Sequence, residues 1–108
     1  MKTYDKAFDA LGDPTRRSIF EKLGKGAQPV GKLAAGMRVS RPAVSQHLYV
    51  LKDAGLISVR KEGTRNIYQV DQKGVLAMRD YLDQFWDTAL ANFKLAAERA
   101  EKKQSKKK

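Results

Sequence analysis

The sequence predicts a mainly α-helical domain that carries one small β-hairpin, and two patterns lead to this prediction. Apolar residues recur at helical spacing through residues 3–53 and again through residues 72–100. Between these stretches, residues 57–70 follow a period of two, which is typical of paired strands. Because proline, glycine and turn residues divide the first stretch into four segments, we expect the order ααααββα.

The first two helices are defined by apolar spacing and by the residues at their ends. Apolar side chains share one face of a helix predicted over residues 3–11. Asp13 then provides an acidic N-cap, and Pro14 occupies the first turn of a second helix. In that turn Arg17 lies on the outward side, from which it can contact a DNA phosphate. Arg16 falls on the apolar side, where a structural role at a helix junction is favoured.

A short helix, a turn and a longer helix follow. Residues 24–28 are predicted to be a loop, and Pro29 opens the third helix. Ser40 is a good N-cap for the fourth helix. Gly55 supplies a left-handed residue at its end, with Leu56 placed to pack back as in a Schellman motif. Two helices separated by such a turn form a helix-turn-helix, whose second helix enters the major groove of DNA.

The fourth helix has one apolar face and one face suited to DNA. Val44, Leu48 and Leu51 lie on a narrow stripe that faces the core, and His47 lies toward this side, where packing or phosphate contact is favoured over metal ligation. The opposite face carries groups that pair with base edges or phosphates: Arg41, Pro42, Ser45, Gln46, Tyr49 and Lys52. A solvated face is the alternative. Because its charge is low and two members are small, we interpret the helix as a recognition helix.

A β-hairpin is predicted directly after this motif. Residues 57–62 and 65–70 are β-prone runs joined around Gly63 and Thr64. The predicted DNA contacts of its tip are Arg60, Lys61, Thr64 and Arg65. Such charges also protect edge strands from aggregation. After a helix-turn-helix, however, a hairpin with a basic tip is better interpreted as a wing that reaches the DNA backbone or the minor groove.

The longest helical segment covers residues 72–100, and its apolar arc is wider than one domain needs. The arc covers nearly half of the helix circumference, whereas a helix that packs only on its own core needs an apolar stripe of ~100°. We therefore expect the arc to be shared between the core and a two-fold dimer interface. The interface residues predicted on this helix are Met78, Leu82, Phe85, Trp86, Ala89 and Phe93. The opposite face carries Asp80, Asp83 and Asp87, interpreted as solvated surface rather than a hard-cation site.

Composition restricts the class of protein. The 108 residues correspond to one domain, predicted over residues 1–100, and a basic tail at 101–108, predicted to be disordered because no apolar residue anchors it. No apolar run reaches the length of a membrane span and no signal peptide is apparent, so we expect a soluble cytoplasmic protein. The absence of cysteine and the single histidine exclude thiol chemistry and restrict metal chemistry. No cofactor and no metal site are expected.

The net charge of +10 indicates a polyanionic partner. Residues 38–70 carry a net charge of +4 and residues 94–108 carry +5, whereas residues 71–93 carry −2. Nucleic acid is favoured over a membrane because no basic amphipathic surface helix stands out. The sequence also lacks a glycine-rich phosphate loop and a nucleophile with an adjacent base, so no catalytic residue is predicted and an enzyme is not expected.

Four segments in order carry a resemblance to a known family. They are residues 10–17 (ALGDPTRR), residues 44–48 (VSQHL) with Leu51, residues 54–56 (AGL), and residues 60–63 (RKEG) with Tyr68. With these segments the chain resembles the ArsR/SmtB family of winged-helix transcriptional repressors over roughly residues 7–95. The resemblance implies a homodimer with an interface of the first and last helices, which adds Tyr4 and Phe8. It also implies repression of an operon that often includes the repressor's own gene.

The departures from the family pattern concern regulation. Metal-sensing members have cysteines before the turn, or histidine and carboxylate ligands in the terminal helix; here the first are absent and the second are incomplete. The chain is therefore similar to a metal-independent, autorepressor-like branch whose inducer is absent, an organic molecule or another protein. A winged-helix module that sequesters a protein partner, or responds to a small organic ligand, is the alternative function.

Overall fold

The computed structural model describes residues 3–106, and the side chains of residues 4–103, as a mainly helical fold with a small antiparallel sheet. The elements in chain order are α1 (Thr3–Ala10), α2 (Pro14–Gly24), β1 (Gln28–Pro29), α3 (Val30–Ala35), α4 (Arg41–Asp53), β2 (Ile57–Glu62), β3 (Arg65–Val70) and α5 (Gln72–Lys106). The chain divides into two compact units after Met78. The winged helix-turn-helix predicted from the sequence is confirmed.

The core of the first unit forms around α4. This helix packs against α1, α2, α3 and β2. The largest fully buried side chains are Ile19, Leu33, Val44, Leu48, Leu51, Leu56 and Ile57. The apolar stripe predicted on α4 is therefore the core face of that helix. Val75 and Met78, at the start of α5, pack against the same core.

Side-chain caps begin both α2 and α4 where the sequence predicts them. The Asp13 carboxylate accepts a hydrogen bond from the backbone N–H of Arg16 at 2.8 Å. The Ser40 hydroxyl accepts one from the backbone N–H of Ala43 at 3.3 Å. Each bond satisfies an amide that lacks a partner inside the helix, so both helix starts are fixed by local chemistry.

The loop prediction for residues 24–28 is wrong at its end. Gln28 and Pro29 form β1, which pairs antiparallel with Tyr68 and Ile67 of β3, so the strand order is β1-β3-β2. Pro29 also serves as the N-cap of α3 rather than as its first helical residue. Proline is tolerated here because an edge strand does not need every backbone N–H.

Helix α5 continues through Lys106, so residue 100 is not the end of the helix. The tail predicted to be disordered is helical over residues 101–106, and residues 107 and 108 lie outside the described residues. Two features of the sequence favour the extension. Glu98 and Lys102 are spaced for an i, i+4 ion pair, and cationic side chains are stabilising near a helix C-terminus.

Candidate nucleic-acid interface

The outer face of α4 is exposed along its whole length. All six residues predicted on this face are exposed: Arg41, Pro42, Ser45, Gln46, Tyr49 and Lys52. Among the described large apolar side chains of the first unit, that of Tyr49 is the most exposed, at 67%. On the reverse side Val44, Leu48 and Leu51 are at most 1% exposed. The helix therefore presents one arginine, one lysine, one carboxamide and two hydroxyls to solvent, and groups of these kinds read base edges and phosphates.

A Schellman motif ends α4 and fixes its position. Gly55 has a φ of +79°, in the left-handed region that favours glycine. The N–H of Leu56 donates to the carbonyl of Leu51, and the N–H of Gly55 donates to that of Lys52, each at 3.0 Å. This is the hydrogen-bond pattern of the motif predicted from the sequence. Leu56 is fully buried, so the end of the recognition helix is anchored in the core.

The wing is a hairpin of β2 and β3 that turns through Gly63 and Thr64. Gly63 has a φ of +66°, which agrees with glycine at the first central position of a type II′ turn. In the strand register Glu62 faces Arg65 and Lys61 faces Asn66. Because opposite residues share a face, Arg65 lies on one face of the wing and Lys61 on the other. The tip therefore carries positive charge on both sides.

The four predicted wing residues are all exposed, but their surroundings differ. Arg60 donates a hydrogen bond of 2.6 Å to the side-chain oxygen of Gln69. The same guanidinium lies 3.5 Å from the Glu62 carboxylate. By contrast, within the residues whose side chains are described, those of Lys61 and Arg65 have no hydrogen-bond or ion-pair partner. Arg60 is thus part of the wing's own structure, whereas Lys61 and Arg65 are available to a ligand.

Arg16 has the structural position that its helical angle predicts. Its Nη1 donates to the backbone carbonyl of Ala10 at 3.2 Å, so it joins the end of α1 to the start of α2. Arg17 is exposed. His47 is packed, with 22% of its side chain exposed and its Nδ1 4.0 Å from the Asp13 carboxylate. The predicted positions of Arg16 at a helix junction and of His47 toward the core side of α4 are therefore confirmed.

A basic cleft lies between the wing tip and the start of α3. It has a volume of about 330 Å³ and is lined by Pro29, Val30, Gly31, Lys32, Arg41, Thr64, Arg65 and Asn66. The sequence predicts three of these residues as DNA contacts, namely Arg41, Thr64 and Arg65, but it does not predict Lys32. No sequence pattern marks Lys32, because three separate segments of the chain form the cleft. The pairing of β1 with β3 and the packing of α3 against β3 bring the start of α3 to the wing.

The second unit presents an exposed apolar face. On it Leu82 is 41% exposed, Phe85 54%, Trp86 53% and Phe93 65%, while the smaller Ala89 is half-buried. The rings of Phe85 and Trp86 contact edge to face, with centroids 5.9 Å apart. These are the residues that the sequence predicts for a dimer interface, apart from Met78, which lies in the first unit and packs on its core.

In α1, the other interface residues predicted from the resemblance are partly buried. The rings of Tyr4 and Phe8 lie edge to face with centroids 6.3 Å apart.

Across the described residues, no three histidine, cysteine or carboxylate side chains are grouped so that they could hold a metal ion. Within the same residues, no helix combines the length and the apolar composition needed to cross a membrane.

Comparison with known proteins agrees with this geometry. Residues 11–60 match a family described as a helix-turn-helix domain. The HTH-type transcriptional regulator Rv2034 of Mycobacterium tuberculosis is 52% identical over 96 residues, which cover 86% of this chain and 90% of that protein. The transcriptional repressor SdpR of Bacillus subtilis is 36% identical over 67 residues, which cover 63% of this chain and 74% of that protein.

A solved structure extends the similarity to the fold. It is the homodimeric winged helix-turn-helix DNA-binding domain of Mb0332 from Mycobacterium bovis, a possible ArsR-family transcriptional regulator. It superposes with a TM-score of 0.65 at 26% identity and covers 82% of each chain. These relatives are regulators of transcription rather than enzymes. The chain therefore belongs to the ArsR/SmtB family of winged helix-turn-helix, DNA-binding transcriptional regulators.

Proposed function

We propose that the protein represses transcription by binding, as a homodimer, to a pseudo-palindromic operator in double-stranded DNA. The observation that carries the proposal is the outer face of α4, whose six polar or small residues are all exposed while the stripe behind them is fully buried. A helix held in this way enters the major groove with its side chains free for base edges. Occupation of a promoter in this manner blocks polymerase.

The contacts divide into those that read sequence and those that hold the backbone. The Arg41 guanidinium offers two donors, which form a bidentate pair with a guanine edge. The Gln46 carboxamide offers one donor and one acceptor, which form a bidentate pair with an adenine edge. Each good pair contributes roughly 1–3 kcal/mol of discrimination. Lys61, Thr64 and Arg65 at the wing tip contact phosphates or the minor groove, which orients the protein without reading most of the sequence.

The homodimer rests on the apolar face of α5 described above. A row of exposed aromatic side chains is costly in water and marks an interaction site. The aromatic residues are enriched in interface cores, and the similar domain of Mb0332 is homodimeric. Tyr4 and Phe8 of α1, with Met78 and Ala89 of α5, complete the proposed interface. A two-fold dimer places its half-sites about one helical turn, ~34 Å, or a multiple of it apart.

The regulated operon is proposed to include the gene of the protein itself, and the repressor to act in the cytoplasm independently of metal. The chain contains no cysteine. Its one histidine is packed beside Asp13 rather than placed in a group of ligands. Any inducer is therefore expected to be an organic molecule or a protein.

Fluorescence anisotropy tests the proposal on DNA from upstream of the gene and on a scrambled duplex of the same composition. Both are measured at one near-physiological salt concentration, because phosphate contacts make affinity strongly dependent on salt. The expected result is binding to the native sequence at least ~10³-fold tighter than to the scrambled duplex. If the upstream duplex and the scrambled duplex bind equally tightly, autoregulation through this DNA is contradicted.

A further inference from the structure

We propose that the cleft between α3 and the wing tip seats one backbone phosphate of the bound DNA, with Lys32 as a contact in addition to Arg65, while Arg41 lines the same cleft beside the base edge that it reads. This inference rests on the proposed function, since it names a partner group for the same DNA-binding surface. It adds helix α3 to that surface. It also joins α3 and the wing through one shared phosphate.

The charges of the cleft support this assignment. Every charged side chain among its described lining residues is basic, namely Lys32, Arg41 and Arg65. All three are exposed. Within the residues whose side chains are described, none of the three has a hydrogen-bond or ion-pair partner. No acidic side chain lines the cleft, so the three cations repel one another across it, and an anion seated there offsets that repulsion.

The position of the cleft identifies the anion. Arg41 is the first residue of the recognition helix, and Arg65 follows the turn of the wing. Thr64 and Asn66 add a hydroxyl and an amide to the lining, both able to donate to a phosphate oxygen. Arginine and lysine form short, charge-assisted bonds to phosphate. DNA that contacts both α4 and the wing passes this point with its backbone, so a DNA phosphate is the ligand that the surface brings to it.

A shared phosphate has an energetic consequence that separate contacts lack. If Lys32 and Arg65 hold the same phosphate, loss of one side chain loosens that phosphate for the other. The two substitutions therefore interact, and the double variant loses less affinity than the product of the two single losses. Separate phosphates would give additive free energies, as independent sites do.

The experiment compares Lys32→Gln with Lys73→Gln, which removes the same charge from an exposed lysine in the first turn of α5, outside the cleft. Anisotropy is measured on operator and scrambled DNA over a range of salt concentrations. We expect Lys32→Gln to weaken both duplexes by a similar factor of about ten for each protomer bound, at the lower end for hydrogen bonds to charged groups. The salt slope should also fall, by no more than about 0.9 per protomer, because Arg65 still faces the shared phosphate. Lys73→Gln should change neither quantity to this extent.

The variants Arg65→Gln and Lys32→Gln/Arg65→Gln complete a double-mutant cycle, with thermal unfolding as the check that each variant folds. Equal effects of Lys32→Gln and Lys73→Gln would overturn the inference, as would additive losses in the cycle. Either result leaves the proposed function standing if the wild type still prefers its operator. Failure of the proposed function is distinct, because the wild-type protein itself would then not discriminate between the two duplexes.

Discussion

Gly74, in the first turn of α5, lies directly against the backbone carbonyl of Gly55, which ends the recognition helix. A Cβ atom added to Gly74 would overlap the Gly55 carbonyl oxygen and carbon. Nearby, the N–H of Asp71 donates to the carbonyl of Leu56 at 2.9 Å. The end of α4 and the start of α5 are thus held together by close backbone contact.

This contact predicts that Gly74→Ala destabilises the protein by about 1–3 kcal/mol, the usual cost of overpacking. Gly24→Ala is the matched control, because a Cβ at Gly24 meets nothing within 4 Å. Gly24 is the last residue of α2, so alanine there should leave the stability unchanged or raise it by up to about 1 kcal/mol. Urea unfolding measures both. Equal midpoints for the two variants would show that the Gly55–Gly74 approach is not required.

The two arginines in the first turn of α2 should differ in how much they contribute to stability. Arg16→Ala removes the hydrogen bond to the Ala10 carbonyl and should cost about 1–3 kcal/mol of unfolding free energy. Arg17→Ala changes an exposed side chain and should stay within about 0.5 kcal/mol of the wild type. Thermal or denaturant unfolding distinguishes them, and a larger loss for Arg17→Ala would contradict the assignment.

The apolar face of α5 should control the oligomeric state. Phe93→Ser removes an aromatic ring from the proposed interface and should raise the dimer dissociation constant by about tenfold or more. Leu95→Ser is the control. Leu95 is also exposed, but it lies two positions from Phe93 along the helix and therefore on the side opposite the apolar face of α5. Sedimentation equilibrium gives both constants. The proposal fails if Leu95→Ser dissociates the dimer as strongly as Phe93→Ser does.

Within the wing, Arg60 and Arg65 should differ in their effect on DNA affinity. Arg60 is already bonded to Gln69 and lies beside Glu62, so its charge is partly neutralised in the free protein. We expect Arg60→Gln to lower affinity for operator and scrambled DNA less than Arg65→Gln does, and to change the salt slope less. A larger loss from Arg60→Gln would mean that its guanidinium leaves the wing on binding.

Local chemistry made much of the fold predictable from the sequence. Asp13, Ser40 and Gly55 define helix ends through bonds to their own neighbours, so their roles are visible in a short window of sequence. The two-residue strand β1 escaped prediction because it is too short to show a period and its partner β3 lies far along the chain. The role of Arg60 within the wing depends on strand register, which the sequence does not state.

The same distinction applies to the candidate site. The exposed face of α4 follows from helical geometry alone, and all six predicted residues lie on it. Lys32 could not be found in this way, because the cleft that it lines is made from α3, the start of α4 and the wing tip. Surfaces built from one element can be predicted from periodicity, whereas surfaces built from several need the tertiary fold.

Base reading by α4 is tested most directly by two substitutions. Gln46→Ala is compared with Lys61→Gln on the operator and on scrambled DNA at one salt concentration. Gln46→Ala should weaken operator binding by about 1–3 kcal/mol and leave scrambled DNA nearly unchanged, since a base-edge pair is lost. Lys61→Gln should weaken both duplexes alike, since a phosphate contact carries no sequence information. Equal losses of affinity on both duplexes from Gln46→Ala would contradict the assignment of α4 as the recognition helix.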